Sequence, residues 1–148
     1  MSTENQIHLK GDFLHEELVA HSAISPGYLL TINSDGEVLP HGTEGGWCAP
    51  VFAEIDALQG HTLADDYAAA DPVMINVERP GNRCQAFLKA GEVAVIGSNL
   101  ISAGDGTLIL NGDESFGTTV HKVIAIAMEA EDLSGSGAVD TLIEIFCM

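Results

Sequence analysis

The sequence predicts an all-β domain with one short helix, a small barrel or sandwich built from duplicated β-hairpin units. Three observations lead there. Short β-rich runs alternate with turn residues along most of the 148-residue chain, which carries 16 glycines. One hairpin is written twice. GYLLTINSDGEVL at 27–39 and GSNLISAGDGTLI at 97–109 align Gly27 with Gly97, Leu30 with Leu100 and Asp35-Gly36 with Asp105-Gly106, all 70 positions apart. Finally, hydrophobic residues make up 46% and aromatic ones 5%. The apolar content is therefore mostly aliphatic, which suits thin paired layers. One such hairpin cannot bury its own apolar face, whereas two can pack together and close a barrel.

The elements follow in order. Residues 1–24 read as an N-terminal arm and a first strand; the opening ten residues are polar and ordered only if something receives them. Residues 25–148 read as a single β-domain whose internal duplication covers about 20–56 and 90–132. Ser25-Pro26-Gly27 is a turn. Tyr28–Asn33 and Val38-Leu39 flank Asp35-Gly36, whose residues both tolerate positive φ, a hairpin signal. Residues 40–46 form a polar loop, and Ala49–Ile55 a buried strand. Thr62 with Asp65 three residues on predicts a two-turn helix through Ala69, stopped by Asp71-Pro72.

Val73, Ile75 and Val77 alternate with Met74, Asn76 and Glu78 as a half-buried strand. Arg79-Pro80-Gly81-Asn82 is a type II turn, and Cys84, Ala86 and Leu88 alternate back, predicting a hairpin over 73–89. Val93–Ile96 is a strand, and the second copy of the repeated hairpin follows. Residues 111–118 form a loop, Val120–Met128 a long buried strand, Leu133–Gly137 a flexible turn and Leu142–Phe146 the closing strand.

Charge narrows the function. Five Lys and Arg face 22 Asp and Glu, a formal net charge of −17. Nucleic-acid binding requires a basic footprint, and an anionic membrane would repel this chain, so both partners are excluded. The imbalance keeps a crowded assembly soluble or suits a partner with basic patches. Cys48, Cys84 and Cys147 form no disulfide framework or Cys-x-x-Cys pair, and a reducing compartment is expected. The opening residues lack a signal-like apolar stretch.

No catalytic or metal constellation assembles from spacing, so no catalytic residue, metal or cofactor is assigned. His15-Glu16-Glu17-Leu18-Val19 begins like a zinc-protease motif but ends in Val where the second His belongs. The six histidines lack ligand spacing and read as surface or loop residues. Gly135-Ser136-Gly137 has no strand-to-helix context. The Asp-Gly pairs lie outside a calcium-binding ligand ladder and are explained by tight turns. The single tryptophan, Trp47, is either a packing residue or an interface anchor. Arg79 and Arg83 flank a hairpin tip, either solvated or paired with acidic surface.

The order of segments carries a resemblance. HGTEGG at 41–46, APVFAEIDALQGHTLADDYAAADPV at 49–73, VERPGNRCQAFLKAGEVAVIGSNLISAGDGTL at 77–108, VIAIAMEAEDLSGSG at 123–137 and IEIF at 143–146 together resemble the capsid cement, or decoration, proteins of tailed bacteriophages. The resemblance covers roughly residues 40–146 and is weakest over 1–24. It implies a β-tulip domain on the outer surface of an assembled head, made in the host cytoplasm. It implies the major capsid protein as partner, a homotrimer, and capsid stabilisation by bridging neighbouring capsid subunits. The interface residues expected on this reading are Ile7, Leu9, Phe13 and Leu14 of the arm, with Trp47, Arg79 and Arg83. The alternatives are a small-ligand or carbohydrate-binding β-domain on the particle surface, with Trp47 and Tyr28 as stacking residues, and an accessory domain of an enzyme.

Overall fold

A computed structural model describes residues 5–112 and 121–148. Thirteen short strands and one 3₁₀ turn account for the regular structure of these residues. After β1 (His8–Lys10) come β2 (Leu14–Val19), β3 (Leu30–Ile32), β4 (Val38–Pro40), β5 (Val51–Ala53) and β6 (Pro72–Val77). Then follow β7 (Arg83–Leu88), β8 (Val93–Ala94), β9 (Asn99–Ser102), β10 (Leu108–Leu110), β11 (Ala125–Ala127), β12 (Glu131–Asp132) and β13 (Thr141–Cys147). The fold is all-β.

Strands β7, β10, β9, β11 and β13 pair in that order, and β13 pairs back to β7, closing a five-stranded barrel. The first half of the chain follows the same route. β2 pairs β6, β6 pairs β5, β3 pairs β4, and single bridges Leu29↔Phe52 and Ala20↔Val38 join the remaining neighbours. The contacts correspond one by one. Ala20↔Val38 matches Leu88↔Leu108, each the parallel joint of its ring. Leu29↔Phe52 matches Asn99↔Ile126, and Ala53↔Ile75 matches Ala127↔Ile145. Gly27 N–H donates to Ala53 C=O at 2.8 Å, as Gly97 does to Ala127 at 2.8 Å. The wiring spans 14–77 and 83–147, beyond the stretches where the sequence echoes itself.

Each ring has its own core. Ala20, Ile24, Leu30, Val38, Tyr67, Val73 and Ile75 fill the first. Ala86, Leu88, Leu100, Leu108, Ala125, Ile143 and Ile145 belong to the second, which Leu29 and Phe52 join from the first ring's strands. The rings are also tied by backbone. Leu29 N–H donates to Gly106 C=O at 2.8 Å, and Gly45 N–H to Ser102 C=O at 2.9 Å. Tyr28 packs edge-on against Phe87 with centroids 5.6 Å apart.

Several expectations are corrected. The turn at 79–82 forms, with Gly81 at φ 94 and Asn82 N–H bonded to Arg79 C=O at 3.0 Å. The strands it joins do not pair with each other, because β6 lies in the first ring and β7 in the second. A type II turn splays its flanking strands, so here it links two barrels rather than closing a hairpin. The two-turn helix is also absent. Thr62 and Asp65 make their capping bonds, Thr62 N–H to Asp65 Oδ2 at 2.7 Å among them. Propagation stops there because Tyr67 turns into the first core, exchanges backbone bonds with Ile24 and donates its hydroxyl to Glu54 C=O at 2.6 Å. A two-turn helix has too little intrinsic stability to resist that pull. The short helix present is a 3₁₀ turn at Ala57–Gln59, capped by the Asp56 side chain. The strand expected over Val93–Ile96 shortens to β8, leaving Val95 and Ile96 exposed. That expected over 120–128 shortens to β11, its first residue outside the described residues, as is most of the 111–118 loop.

Candidate functional site

The N-terminal segment is received by the chain itself. Ile7, 0% exposed, enters the second core beside Cys84. β1 runs antiparallel along the start of β7, with Gln85 N–H bonded to Ile7 C=O at 2.8 Å. Two glutamates hold the segment from the first ring's side. The Glu54 carboxylate accepts N–H bonds from Ile7 at 2.8 Å, His8 at 2.9 Å and its own neighbour Ile55 at 2.9 Å, and the Asn76 side-chain amide at 2.8 Å. The Glu78 carboxylate, fully buried, accepts from His8 Nδ1 at 2.9 Å and Asn82 Nδ2 at 2.8 Å. A buried carboxylate persists only when its oxygens are satisfied, and here the arm supplies much of that satisfaction.

An open cleft of about 780 Å³ lies beside this clasp, between the arm and the segment around the 3₁₀ turn. Leu9, Phe13 and His15 line one wall, and Ile55, Leu58 and His61 the other. Phe13 stacks on His8 with centroids 3.9 Å apart.

The structure brings together four of the seven expected interface residues. Ile7 is the anchor, Leu9 and Phe13 line the cleft, and Leu14 opens β2, 56% exposed. Trp47 lies elsewhere, on the loop after β4. It is 75% exposed, with Lys122 Nζ 5.3 Å from its ring centroid, so it is no core packing residue. Arg79 is exposed at the inter-barrel turn, and Arg83 pairs with Glu144 at 3.1 Å. Tyr28 is half-buried against Phe87. His41, read as a surface or loop residue, lies in the loop after β4, where it is 5% exposed and hydrogen-bonded to Ser102 Oγ at 2.6 Å.

Sequence reading missed Glu54, Glu78, Asn76 and Asn82. Their partners lie up to 70 residues away, so no local spacing exposes them. One signal was present: a polar Asn interrupting the apolar run Val73–Val77.

No cluster of metal-ligating side chains converges among the described residues, and no helix there is long and apolar enough to cross a membrane. The thiols are protected. Burial pushes Cys48 up to about 11, and burial together with the neighbouring Cys147 raises Cys84 well above the ordinary thiol range. A raised pKa means less thiolate at neutral pH. Iodoacetamide at pH 8 should therefore label Cys48 in the folded chain roughly a hundredfold more slowly than in denaturant, recovering as pH approaches 11. Equal rates in the two states would show the thiol to be open.

No protein-family model matches the chain, and neither does any curated protein. Among solved structures the chain is similar to the crystal structure of the N base of the head fiber gp8.5 of bacteriophage phi29. The two share 19% identity with a TM-score of 0.57, over 93% of this chain and 95% of that one. The likeness is one of fold. It spans most of the chain, and so more than either ring alone.

Proposed function

We propose that this chain is a structural protein of a tailed-phage head, seated on the outside of the assembled capsid. The observation that carries the reading is the near-complete correspondence of the two-ring fold with the base of a head fiber. The order of sequence segments resembling capsid decoration proteins supports it independently. The net charge of −17 suits attachment to basic rims of a shell. In the finer form of the proposal, the protein acts as cement, bridging neighbouring major capsid subunits as a homotrimer. Many weak contacts repeated by the symmetry of the shell then add up to firm attachment. No catalytic role is part of the reading.

The test is quantitative mass spectrometry of purified particles from the source, scaled to the major shell protein. A ratio near that of the shell protein is expected for cement. A few copies per particle would favour a fiber base, and absence from particles would overturn the head assignment.

A further inference from the structure

β2 and β7 occupy the same place in their rings, and their registers align Glu16 with Cys84, Glu17 with Gln85 and Leu18 with Ala86. Leu18↔Val73 matches Ala86↔Ile143, and Glu54 N–H to Met74 C=O at 2.8 Å matches Met128 N–H to Glu144 C=O at 2.9 Å. The outer edges differ. On β7 the edge is occupied by β1, and the inward positions Cys84 and Ala86 are 0% and 1% exposed. On β2 the corresponding Glu16 is exposed and Leu18 half-buried, and Leu14 before them is 56% exposed.

The ladder shows which backbone groups are available. Met74 turns its C=O to β5, so Met74 and Glu17 face each other as a pair without mutual hydrogen bonds. The N–H and C=O of Glu17, and of His15 two residues back, therefore turn away from β6. Among the described residues they meet no backbone partner. At the twin position, Gln85 N–H holds Ile7 C=O.

We infer that the β2 edge receives an extended strand from another protein, antiparallel to β2 as β1 is to β7, carrying a Lys or Arg opposite Glu16 between two apolar residues. The twin edge supplies the geometry, since an edge strand with free N–H and C=O groups is a template for strand addition. Charge supplies the specificity. On β7 the uncharged Cys84 stands opposite His8 of β1, whereas Glu16 stands at the matching place on β2 and calls for a cation, flanked by Leu14 and Leu18. A second copy's β1 is already committed to its own β7, so the donor is a different chain. Its identification with a capsid subunit rests on the head-protein reading; the edge itself does not.

The experiment uses the full chain, labelled with ¹⁵N, and the capped peptide Thr-Val-Thr-Lys-Thr-Val-Thr. Amide exchange at Glu17 is expected to slow at least tenfold at saturating peptide. A peptide with Glu in place of Lys should lose the effect, and Glu16→Lys should exchange the preference between the two peptides. Glu17→Pro, which removes the edge donor without touching the bonds to β6, should abolish binding while preserving the circular dichroism spectrum. Unchanged exchange at millimolar peptide, or equal response to both peptides, would overturn the inference. So would protection of Glu17 that rises with protein concentration alone, which would mark self-association. Shell attachment separates the two claims. Absence from particles with Glu17 protection intact removes the capsid role alone, whereas normal attachment of Glu17→Pro removes the edge as the docking site alone.

Discussion

Deleting residues 1–10 is expected to lower the thermal midpoint by roughly 10 °C or more. Losing a buried Ile such as Ile7 costs about 2–5 kcal/mol. Withdrawing the Ile7 and His8 N–H groups and the His8 ring strips donors from Glu54 and Glu78, adding roughly 1–3 kcal/mol. At about 2–4 °C per kcal/mol for a domain of this size, the sum gives the stated shift. Circular dichroism melts of the full chain, the deletion and Ile7→Ala check it, with Ile7→Ala falling between the other two. A deletion midpoint within about 2 °C of the full chain would make the segment a passenger rather than part of the core. The sequence predicts an arm ordered only if something receives it; the receiver is the chain's own second core, which buries Ile7.

The second large effect comes from two glycines at equivalent places in the two rings. Gly27 and Gly97 have φ of 99° and 95° and make the same backbone bond. A Cβ at Gly27 would lie 2.6 Å from Leu142 Cδ2 and 3.3 Å from the Phe87 ring, whereas at Gly97 nothing stands within 4 Å. Gly97→Ala therefore carries backbone strain alone, about 1–2 kcal/mol. Gly27→Ala adds overpacking between the rings, another 1–3 kcal/mol or so. The gap between the two melting shifts measures how firmly the barrels are pressed together. Equal shifts would mean that Leu142 and Phe87 yield freely.

The all-β class was legible because its signals are local. Asp35-Gly36 and Asp105-Gly106 announce hairpins that the structure forms between β3 and β4 and between β9 and β10. What was illegible depends on distance. Pro80-Gly81 has the composition of a hairpin turn, yet β6 finds its partners in β2 and β5, and β7 in β13. The helix signal at Thr62 was also real, but the aromatic ring of Tyr67 had a core to fill. Of the candidate site, the apolar residues of the N-terminal segment could be named, but not that Ile7 is swallowed while Leu14 stays in water. That difference depends on β7, some seventy residues away. Glu54 and Glu78 look like ordinary acids in a chain full of them, and only three-dimensional proximity distinguishes them.

The placing of β1 has a consequence for the order of folding. β1 precedes the other strands, but β7 does not begin until Arg83, and β13, which closes the second ring, ends at Cys147. The first ring has all of its strands by Val77 and can close on the ribosome, offering the leading segment the Glu54 carboxylate but not yet β7, the strand it pairs with. The segment must wait for the second ring and then seat late, after the main folding barrier. Stopped-flow kinetics of Ile7→Ala should accordingly show refolding at nearly the normal rate and unfolding that is much faster. The first of the described strands in chain order is thus the last to be locked in, because its seat is complete only once β13 has closed the second ring.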